Sequence, residues 1–353
     1  MPGRVVLIVN PTAGRGAGRR LGEQVSTLLR ASGHEVVDAS AGDAEAARVA
    51  GARALADGAE ALVVVGGDGM VHLGVNLCAE TPTRLAVVAA GTGNDVATHL
   101  GLPVHDAVAA VAVVDAGHTR RIDAGRVTAA DGSVRWFAGV LGAGFDAVVA
   151  DRAARTAWPR GRSRYVLSVL RELPVFRPIP YSLTLDGARV DTRAMLVAVA
   201  NTRSFGGGMQ VCPDADPADG WFDVLLVRAL SLPAFLLVFP RVYSGRHLGH
   251  PAVEVRRARH VRLEAPGIRA QADGEMVGAL PLDVEVVPDA LTVLVPADPP
   301  GTSNPREATS RRFTRRAAIS RRITRREATS RPPGQPGSTT HRTDDPATDG
   351  TAP

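Results

Sequence analysis

Three short glycine-rich segments, each placed directly after a run of apolar residues, constrain the fold of this 353-residue chain most strongly. The segments are Asn10-Pro11-Thr12-Ala13-Gly14, Gly66-Gly67-Asp68-Gly69 and Gly91-Thr92-Gly93-Asn94-Asp95. Each pattern predicts a buried strand that opens into a glycine loop and then a helix. Because backbone N–H groups in such loops are free to hold phosphate, three loops in order indicate a nucleoside triphosphate.

Residues 1–122 alternate between strand and helix patterns. Strands are predicted at Val5–Val9, Glu35–Asp38, Leu62–Val65 and Leu85–Ala89, with a helix at Ala44–Ala56. The spacing is typical of βα repeats in a parallel sheet. Ligands of such sheets collect outside the carboxyl ends of the strands, so all three loops should line one crevice.

From about Arg126 the pattern changes to short alternating β segments, with turns at Asp186-Gly187 and Asp273-Gly274. The predicted strands are Val134–Val140, Tyr181–Leu185, Met195–Ala200, Phe222–Val227, Val253–Val255, His260–Glu264 and Leu291–Val295, with helical insertions at Arg162–Leu173 and Leu232–Tyr243. We therefore expect a three-layer, Rossmann-like α/β domain at 1–125, joined by a returning strand at about 288–297. An antiparallel β-sandwich should occupy 126–287.

Charge is distributed unevenly along the chain. All 41 basic residues are arginine, and the absence of lysine excludes a Walker A phosphate loop. Residues 299–353 contain 11 arginines against 5 acidic residues, which leaves the remainder of the chain with a net charge of −1. The segment 298–353 is rich in Pro, Gly, Ser, Thr and Arg, and this composition predicts a disordered tail. Such a tail suits anionic lipid, suits nucleic-acid phosphates, or has no role; we expect no specific nucleic acid.

Several features predict a cytoplasmic protein. The two cysteines, Cys78 and Cys212, fit a reducing compartment, and the first strand pattern begins at Val5 without a signal peptide. The apolar stretch Leu230–Phe239 is too short to span a bilayer and contains Pro233. We expect a soluble protein that visits the inner face of the membrane.

Each motif also has a simpler interpretation. Asp68 could hold Mg²⁺ or assist proton transfer, or it could belong to an Asp-Gly turn that ends a strand. Asn94 or Asp95 could act as an N-cap, but capping does not explain two glycines with Thr92 between them. Asp216 and Asp219 lie three residues apart, which suits either a hard-cation site or a surface turn.

Together the motifs resemble those of the diacylglycerol kinase catalytic domain, in particular the bacterial soluble lipid kinases that are related to sphingosine kinase. The three glycine loops carry the resemblance. Further matches are Arg121-Ile122-Asp123, Gly142-Ala143-Gly144-Phe145-Asp146, Asn201, Gly206-Gly207-Gly208-Met209 and Asp273-Gly274-Glu275. The similarity covers about residues 4–296.

The resemblance implies an ATP- and Mg²⁺-dependent transfer of phosphate to a lipid hydroxyl, with diacylglycerol as the expected acceptor. Glu275 would be the general base, and Asp68 and Asp123 would complete an acidic cluster around Mg²⁺. A second, structural Mg²⁺ would lie at Asp216, Asp219 and the carbonyl of Trp221. The implied ATP contacts are Asn10, Pro11, Thr12, Ala13, Gly14, Ser40, Gly66, Gly67, Asp68, Gly69, Met70, Val71, His72, Thr92, Gly93 and Asn94.

Two positions depart from the family pattern, and two other functions stay open. Met70 and His72 stand where relatives commonly have threonine and asparagine, so a phosphate hydrogen bond is lost at Met70. NAD kinase shares the Gly-Gly-Asp-Gly loop, but its usual Asn-Glu element is not apparent here. A non-catalytic nucleotide or lipid sensor is less consistent with intact Asp68, Asp123 and Glu275. The sequence does not indicate which lipid is used or whether the chain forms a homodimer.

Overall fold

A parallel sheet with the strand order β2-β1-β3-β4 forms the centre of the N-terminal half. The computed structural model describes residues 3–144 and 177–297. The expected insertion at Arg162–Leu173 and the tail at 298–353 lie outside the described residues. The N-terminal elements are β1 Arg4–Val9, α1 Ala13–Ala31, β2 Glu35–Asp38, α2 Ala44–Ala56, β3 Ala61–Gly66, α3 Asp68–Cys78, β4 Arg84–Ala89, α4 Asp95–His99 and α5 Ala107–Ala116.

Helices cover both faces of this sheet and make three layers. Alternate side chains of the central strands point to opposite faces. Val6, Ile8, Leu62 and Val64 pack with α2 and α3. Val5, Leu7, Val63 and Val65 pack with α1 and α5. Burial on both faces explains why the strands read as continuous apolar runs, and it confirms the predicted three-layer α/β fold.

The C-terminal half is built mainly of antiparallel strands. Its elements are β5 Thr119–Ala129, β6 Val134–Phe137, β7 Val140–Gly144, β8 Ile179–Leu185, β9 Ala188–Ala200, β10 Phe222–Arg228, α6 Leu232–Val238, β11 Val253–Ala258, β12 His260–Glu264, β13 Arg269–Ala272, β14 Glu275–Ala279 and β15 Leu282–Leu294. Two 3₁₀ helices, Phe239–Ser244 and Arg246–Gly249, follow α6. Strand β9 pairs with β7, β8 and β10, and so organises this half. The C-terminal β domain agrees with the prediction.

One predicted strand is two strands in the structure. The segment Val134–Val140 divides into β6 and β7 because the N–H groups of Ala138 and Gly139 donate to the Asp273 carboxylate rather than to a neighbouring strand. The break brings the β13–β14 turn against the start of β7.

Strands β5 and β15 are longer than their sequence patterns indicate. They pair antiparallel from Leu282↔Ala129 to Leu294↔Thr119, with an irregularity between Val287 and Leu291. The end of β15 also pairs in parallel with β4 through Thr292↔Arg84 and Val293↔Leu85. Strand β5 runs through position 125 and strand β15 runs through position 287, the two positions at which the sequence predicts domain boundaries. The boundaries themselves stay predictions. No helix within the described residues is long and apolar enough to cross a membrane.

Candidate active site

The three glycine loops meet at the carboxyl end of the parallel sheet. The Asn10 N–H donates to Val65 O at 2.9 Å, and the Ala90 N–H donates to Gly66 O at 2.8 Å. A Cβ added at Gly91 would lie 2.5 Å from the Gly67 Cα, and one at Gly14 would lie 2.3 Å from Ala90 O. Only bare backbone allows these approaches, so the glycines are needed to bring the loops together. The loops thus line one edge, as the parallel topology requires.

Pro11 of the first loop and Ser40 border an open cleft of about 630 Å³, together with Arg19 and Asp38. Asn10 Oδ1 accepts hydrogen bonds from the Thr12 N–H and hydroxyl, which fixes the loop. Ser40 Oγ accepts from the Val9 N–H at 2.9 Å. Its hydroxyl hydrogen therefore remains available to donate to an anionic group.

The Asp68 carboxylate joins the second loop to the third. Its two oxygens accept from the Asn94 N–H at 3.0 Å and from the Asp95 N–H at 2.8 Å. Burial, followed by the negative charges of Asp95 and Asp273, raises the pKa of Asp68 from 3.8 to about 6. Asp95 and Asp273 are thus the carboxylates whose charges raise the pKa of Asp68.

Two further aspartates hold loops of the C-terminal half at the same place. The Asp95 carboxylate accepts from the Gly207 and Gly208 N–H groups at 2.7 and 2.8 Å. Asp273 accepts from three backbone N–H groups, those of Ala138, Gly139 and Val140, at 2.9–3.2 Å. Sequence reasoning missed both roles. The available signal was Gly206-Gly207-Gly208, where three consecutive positive φ angles leave amides in need of an acceptor.

Glu275 lies where the family resemblance implies a base. It is the exposed first residue of β14, and its Oε1 would be only 2.7 Å from a Cβ added at Gly69. The carboxylate therefore lies beside the N-terminus of α3, close to the loop that contains Asp68. Its role as a base stays a prediction.

Asp123 belongs to a different group of acids from Asp68. Its carboxylate accepts from the Gly220 N–H at 2.7 Å and from the Asp289 N–H at 2.9 Å. Burial is the main cause of its raised pKa, with further contributions from Asp289 and Asp216. The structure thus associates Asp123 with the turn at Asp289 and the loop of Asp216, rather than with the cluster of Asp68 and Glu275 that was expected.

The proposed second cation site is occupied by ion pairs. Asp216 Oδ1 lies 3.4 Å from Arg120 Nη2, and Asp219 pairs with Arg257 while also accepting from the Trp221 N–H. Among the described residues, no three acidic, histidine or cysteine side chains are grouped as a metal site. Arginines therefore already pair with both carboxylates of this loop. The metal role of Asp216, Asp219 and Trp221 stays a prediction.

Several residues expected to contact ATP have side chains that serve the fold. Met70 and Val71 are buried in the core beneath the sheet, so only their backbone could reach a nucleotide. The Asn94 side chain bonds the N–H and C=O of Gly91 and is fully used in shaping the loop. Thr92 is exposed at the tip of the loop. His72 has a buried Nδ1 with no hydrogen-bond partner in the described part of the chain, 3.9 Å from Asp273 Oδ2.

Two cavities share a lining residue and differ in whether carboxylates contribute to the lining. Asp68, Asp95 and Asp273 line the first, of about 160 Å³. The second, of about 80 Å³, is apolar and is lined by residues that include Met209, Phe235 and Val238. Phe205 lines both cavities and forms a common wall. Sequence reasoning did not identify Phe205, because only the fold shows that this residue lines two cavities.

Comparisons with known proteins show which families the two halves of the chain resemble. Residues 4–127 match the family model of the diacylglycerol kinase catalytic domain, and residues 139–295 match that of the YegS C-terminal NAD kinase beta sandwich-like domain. A diacylglycerol kinase of Mycobacterium tuberculosis is 40% identical over 295 residues, which cover 83% of this chain and 96% of that protein. One from Bacillus subtilis is 30% identical and covers 79% and 91%.

The fold is also similar to a crystal structure of a diacylglycerol kinase from Bacillus anthracis. The TM-score is 0.62 with 20% sequence identity, and the match covers 83% of this chain and 97% of that one. A structural similarity at 20% sequence identity shows a shared fold and nothing further.

Proposed function

The chain belongs to the diacylglycerol kinase family and is a kinase, and from that premise we propose that it transfers the γ-phosphate of ATP to a lipid hydroxyl. The acceptor we propose is diacylglycerol, and the product is then phosphatidic acid. The relatives are diacylglycerol kinases by name, and we extend that substrate to this chain.

One observation of the structure carries the lipid assignment. The acid-lined cavity and the apolar cavity share Phe205 as a lining residue. A molecule with a hydroxyl and an adjoining hydrocarbon part matches this pair of environments. NAD has no hydrocarbon part to place against Met209 and Phe235, so the apolar cavity favours lipid over NAD as the acceptor.

The residues supply positioning and proton transfer. Asn10–Gly14, Ser40 and Thr92 would hold the phosphates and sugar of ATP through backbone N–H groups and hydroxyls. Glu275 would accept the proton from the lipid hydroxyl. The hydroxyl oxygen would then bond to the γ-phosphorus, while the bond between that phosphorus and ADP would break. Asp68, through Asn94 and Asp95, keeps the third loop in the conformation that this requires.

The Asp68 group suits a divalent cation that arrives with the nucleotide. Mg²⁺ is usually held by one or two carboxylates together with substrate phosphates, rather than by a cage of protein ligands. Burial, and then the negative charges of Asp95 and Asp273, raise the pKa of Asp68, and such an ion would balance those negative charges. When bound, Mg²⁺ would neutralise charge on the transferring phosphate.

A labelled-ATP assay on the purified full chain tests the proposal. The acceptors are diacylglycerol, sphingosine and phosphatidylglycerol in detergent micelles, and NAD in solution, each with Mg²⁺ or with chelator. We expect label in phosphatidic acid only when Mg²⁺ is present. Label in NADP would favour the NAD kinase alternative, and no transfer to any acceptor would favour a non-catalytic sensor.

A kinase with this substrate works where water meets lipid. We propose that it is cytoplasmic and associates with the inner face of the membrane, where it meets its substrate. The arginine-rich residues 299–353 are proposed to add attraction to anionic lipids.

A further inference from the structure

The surface formed by α6 and the 3₁₀ helix after it presents apolar side chains to water. Leu236 is 46% exposed, Leu237 is 67% exposed and Tyr243 is 41% exposed. We call the outward face of residues 236–246 the α6 face. Large exposed apolar side chains at neighbouring positions are costly unless another apolar phase covers them.

The segment is held from beneath, so this exposure is a fixed feature. Phe235, Val238 and Val242 line the apolar cavity on the inner side. Phe239 stacks on Phe235 with centroids 5.3 Å apart, and Tyr243 meets Phe239 edge-on at 6.4 Å. Phe235, Val238 and Val242 thus take the inner side of the segment, and Leu236 and Leu237 lie on its outer side.

The charge of the segment is of one sign. No acidic residue occurs between Arg228 and Glu254. Arg241 and Arg246 are exposed, and among the described residues neither has a carboxylate within ion-pair distance. Leucines flanked by arginines match the interface of an anionic bilayer, where hydrocarbon lies beneath negative headgroups.

The position of the α6 face suits a lipid substrate. The residues beneath it form the apolar cavity, and that cavity shares Phe205 with the acid-lined one. From the apolar side chains, the uniform charge and this continuity, we infer that the α6 face docks on the surface of an anionic phospholipid bilayer. The inference rests on the proposed function in so far as docking there would present lipid next to the active site.

Vesicle sedimentation tests the docking without any need for kinase activity. The full chain is compared with Leu236→Ser/Leu237→Ser, using vesicles of phosphatidylcholine with and without phosphatidylglycerol at 0.5 M salt, which screens the charge of other arginines. We expect the double variant to bind anionic vesicles at least about tenfold more weakly. Val108→Ser is the matched control, because Val108 is 69% exposed on α5 in the N-terminal half.

A labelled cysteine gives a second readout that does not depend on the double variant folding. Cys78 and Cys212 are buried, so a polarity-sensitive thiol dye would react at Leu237→Cys or at the control Val108→Cys. We expect a blue shift on anionic vesicles at position 237 only. Equal shifts at both positions, unchanged sedimentation of the double variant, or no vesicle binding by the wild type would each overturn the inference.

Light scattering separates the bilayer from a second copy of the chain. A wild-type dimer that becomes monomeric in the double variant would show that the α6 face is a protein interface, and would also overturn the inference. If the double variant loses vesicle binding but phosphorylates a short-chain, water-soluble diacylglycerol at the normal rate, the result would support both proposals. A wild type that binds vesicles but phosphorylates no lipid would contradict the proposed function alone.

Discussion

Glu275 is exposed and makes few demands on the fold, which allows its chemistry to be tested by itself. Glu275→Gln keeps the size of the side chain and removes its ability to take a proton. We expect the initial rate of lipid phosphorylation to fall by about 10²–10⁴, with an unchanged melting temperature. The control is Glu45→Gln, an exposed change on α2. A near-normal rate for Glu275→Gln would remove Glu275 as the base.

Asp68 should make the reaction pH-dependent. Its pKa of about 6 in the folded protein means that the charge is lost as the pH falls through that value. Protonation removes an acceptor from Asn94 or Asp95, so we expect kcat/KM for ATP, which reports groups of the free enzyme, to fall below about pH 6. The effect on stability has the opposite sign. The folded state binds this proton more tightly than the unfolded state. The contribution of Asp68 to the free energy of unfolding therefore decreases as the pH rises from 3.8 to about 6.

Two variants assign that inflection to Asp68. Asp95→Asn removes a charge that raises the pKa of Asp68, so the inflection should move to lower pH. His72→Gln, a change in the same part of the site that removes no carboxylate, should leave the inflection in place. If His72→Gln abolishes the inflection while Asp95→Asn does not move it, Asp68 is not the titrating group.

At the scale of elements, the β13–β14 turn depends on one side chain. Asp273→Ala leaves the Ala138, Gly139 and Val140 amides without their acceptor in a buried place. Buried donors without partners cost about 1–3 kcal/mol each, so we expect the free energy of unfolding to fall by roughly 2–4 kcal/mol after partial relaxation. Denaturant unfolding, followed by fluorescence, measures the change.

The Asp186-Gly187 turn provides a matched control. Its φ angles of 48° and 85° are close to the 52° and 84° of Asp273-Gly274, and Asp186 also accepts backbone N–H bonds, from Arg259 and His260. This second turn is exposed, so water can replace the lost acceptor. Asp186→Ala should therefore cost less than about 1 kcal/mol; equal losses in the two variants would argue against a special role for Asp273.

The sequence predicts elements well where burial alone determines them. Strands β1 to β4 and helix α2 agree because apolar runs and alanine-rich segments carry their own periodicity. The convergence of the glycine loops also followed, since parallel strands end at one edge. The sequence could not indicate that Asp95 binds Gly207 and Gly208, because that contact joins segments more than a hundred positions apart. The family resemblance implies ATP contacts at Met70 and Val71, and the start of α3 at Asp68 turns both side chains into the core, which leaves their backbone for such contacts.

At the scale of the whole molecule, two membrane-attracting parts would act differently. The tail should contribute through charge, and the α6 face through apolar burial. We expect truncation after residue 298 to weaken binding to anionic vesicles at low salt by about tenfold or more, with little effect at 0.5 M salt. Sedimentation of both chains across a salt series measures this. Equal binding of the two chains at low salt would show that the tail has no role in recruitment.

The course of β15 has a consequence for how the chain is made. Strand β4 ends at Ala89, yet one of its two neighbours is the end of β15, at Thr292 and Val293. Strand β5 also pairs with β15 along its whole length, so this pairing forms only after β15 has been made. During synthesis the edge of the parallel sheet therefore stays uncovered until about 290 residues have left the ribosome. The half of the enzyme that is translated first is the half that is completed last.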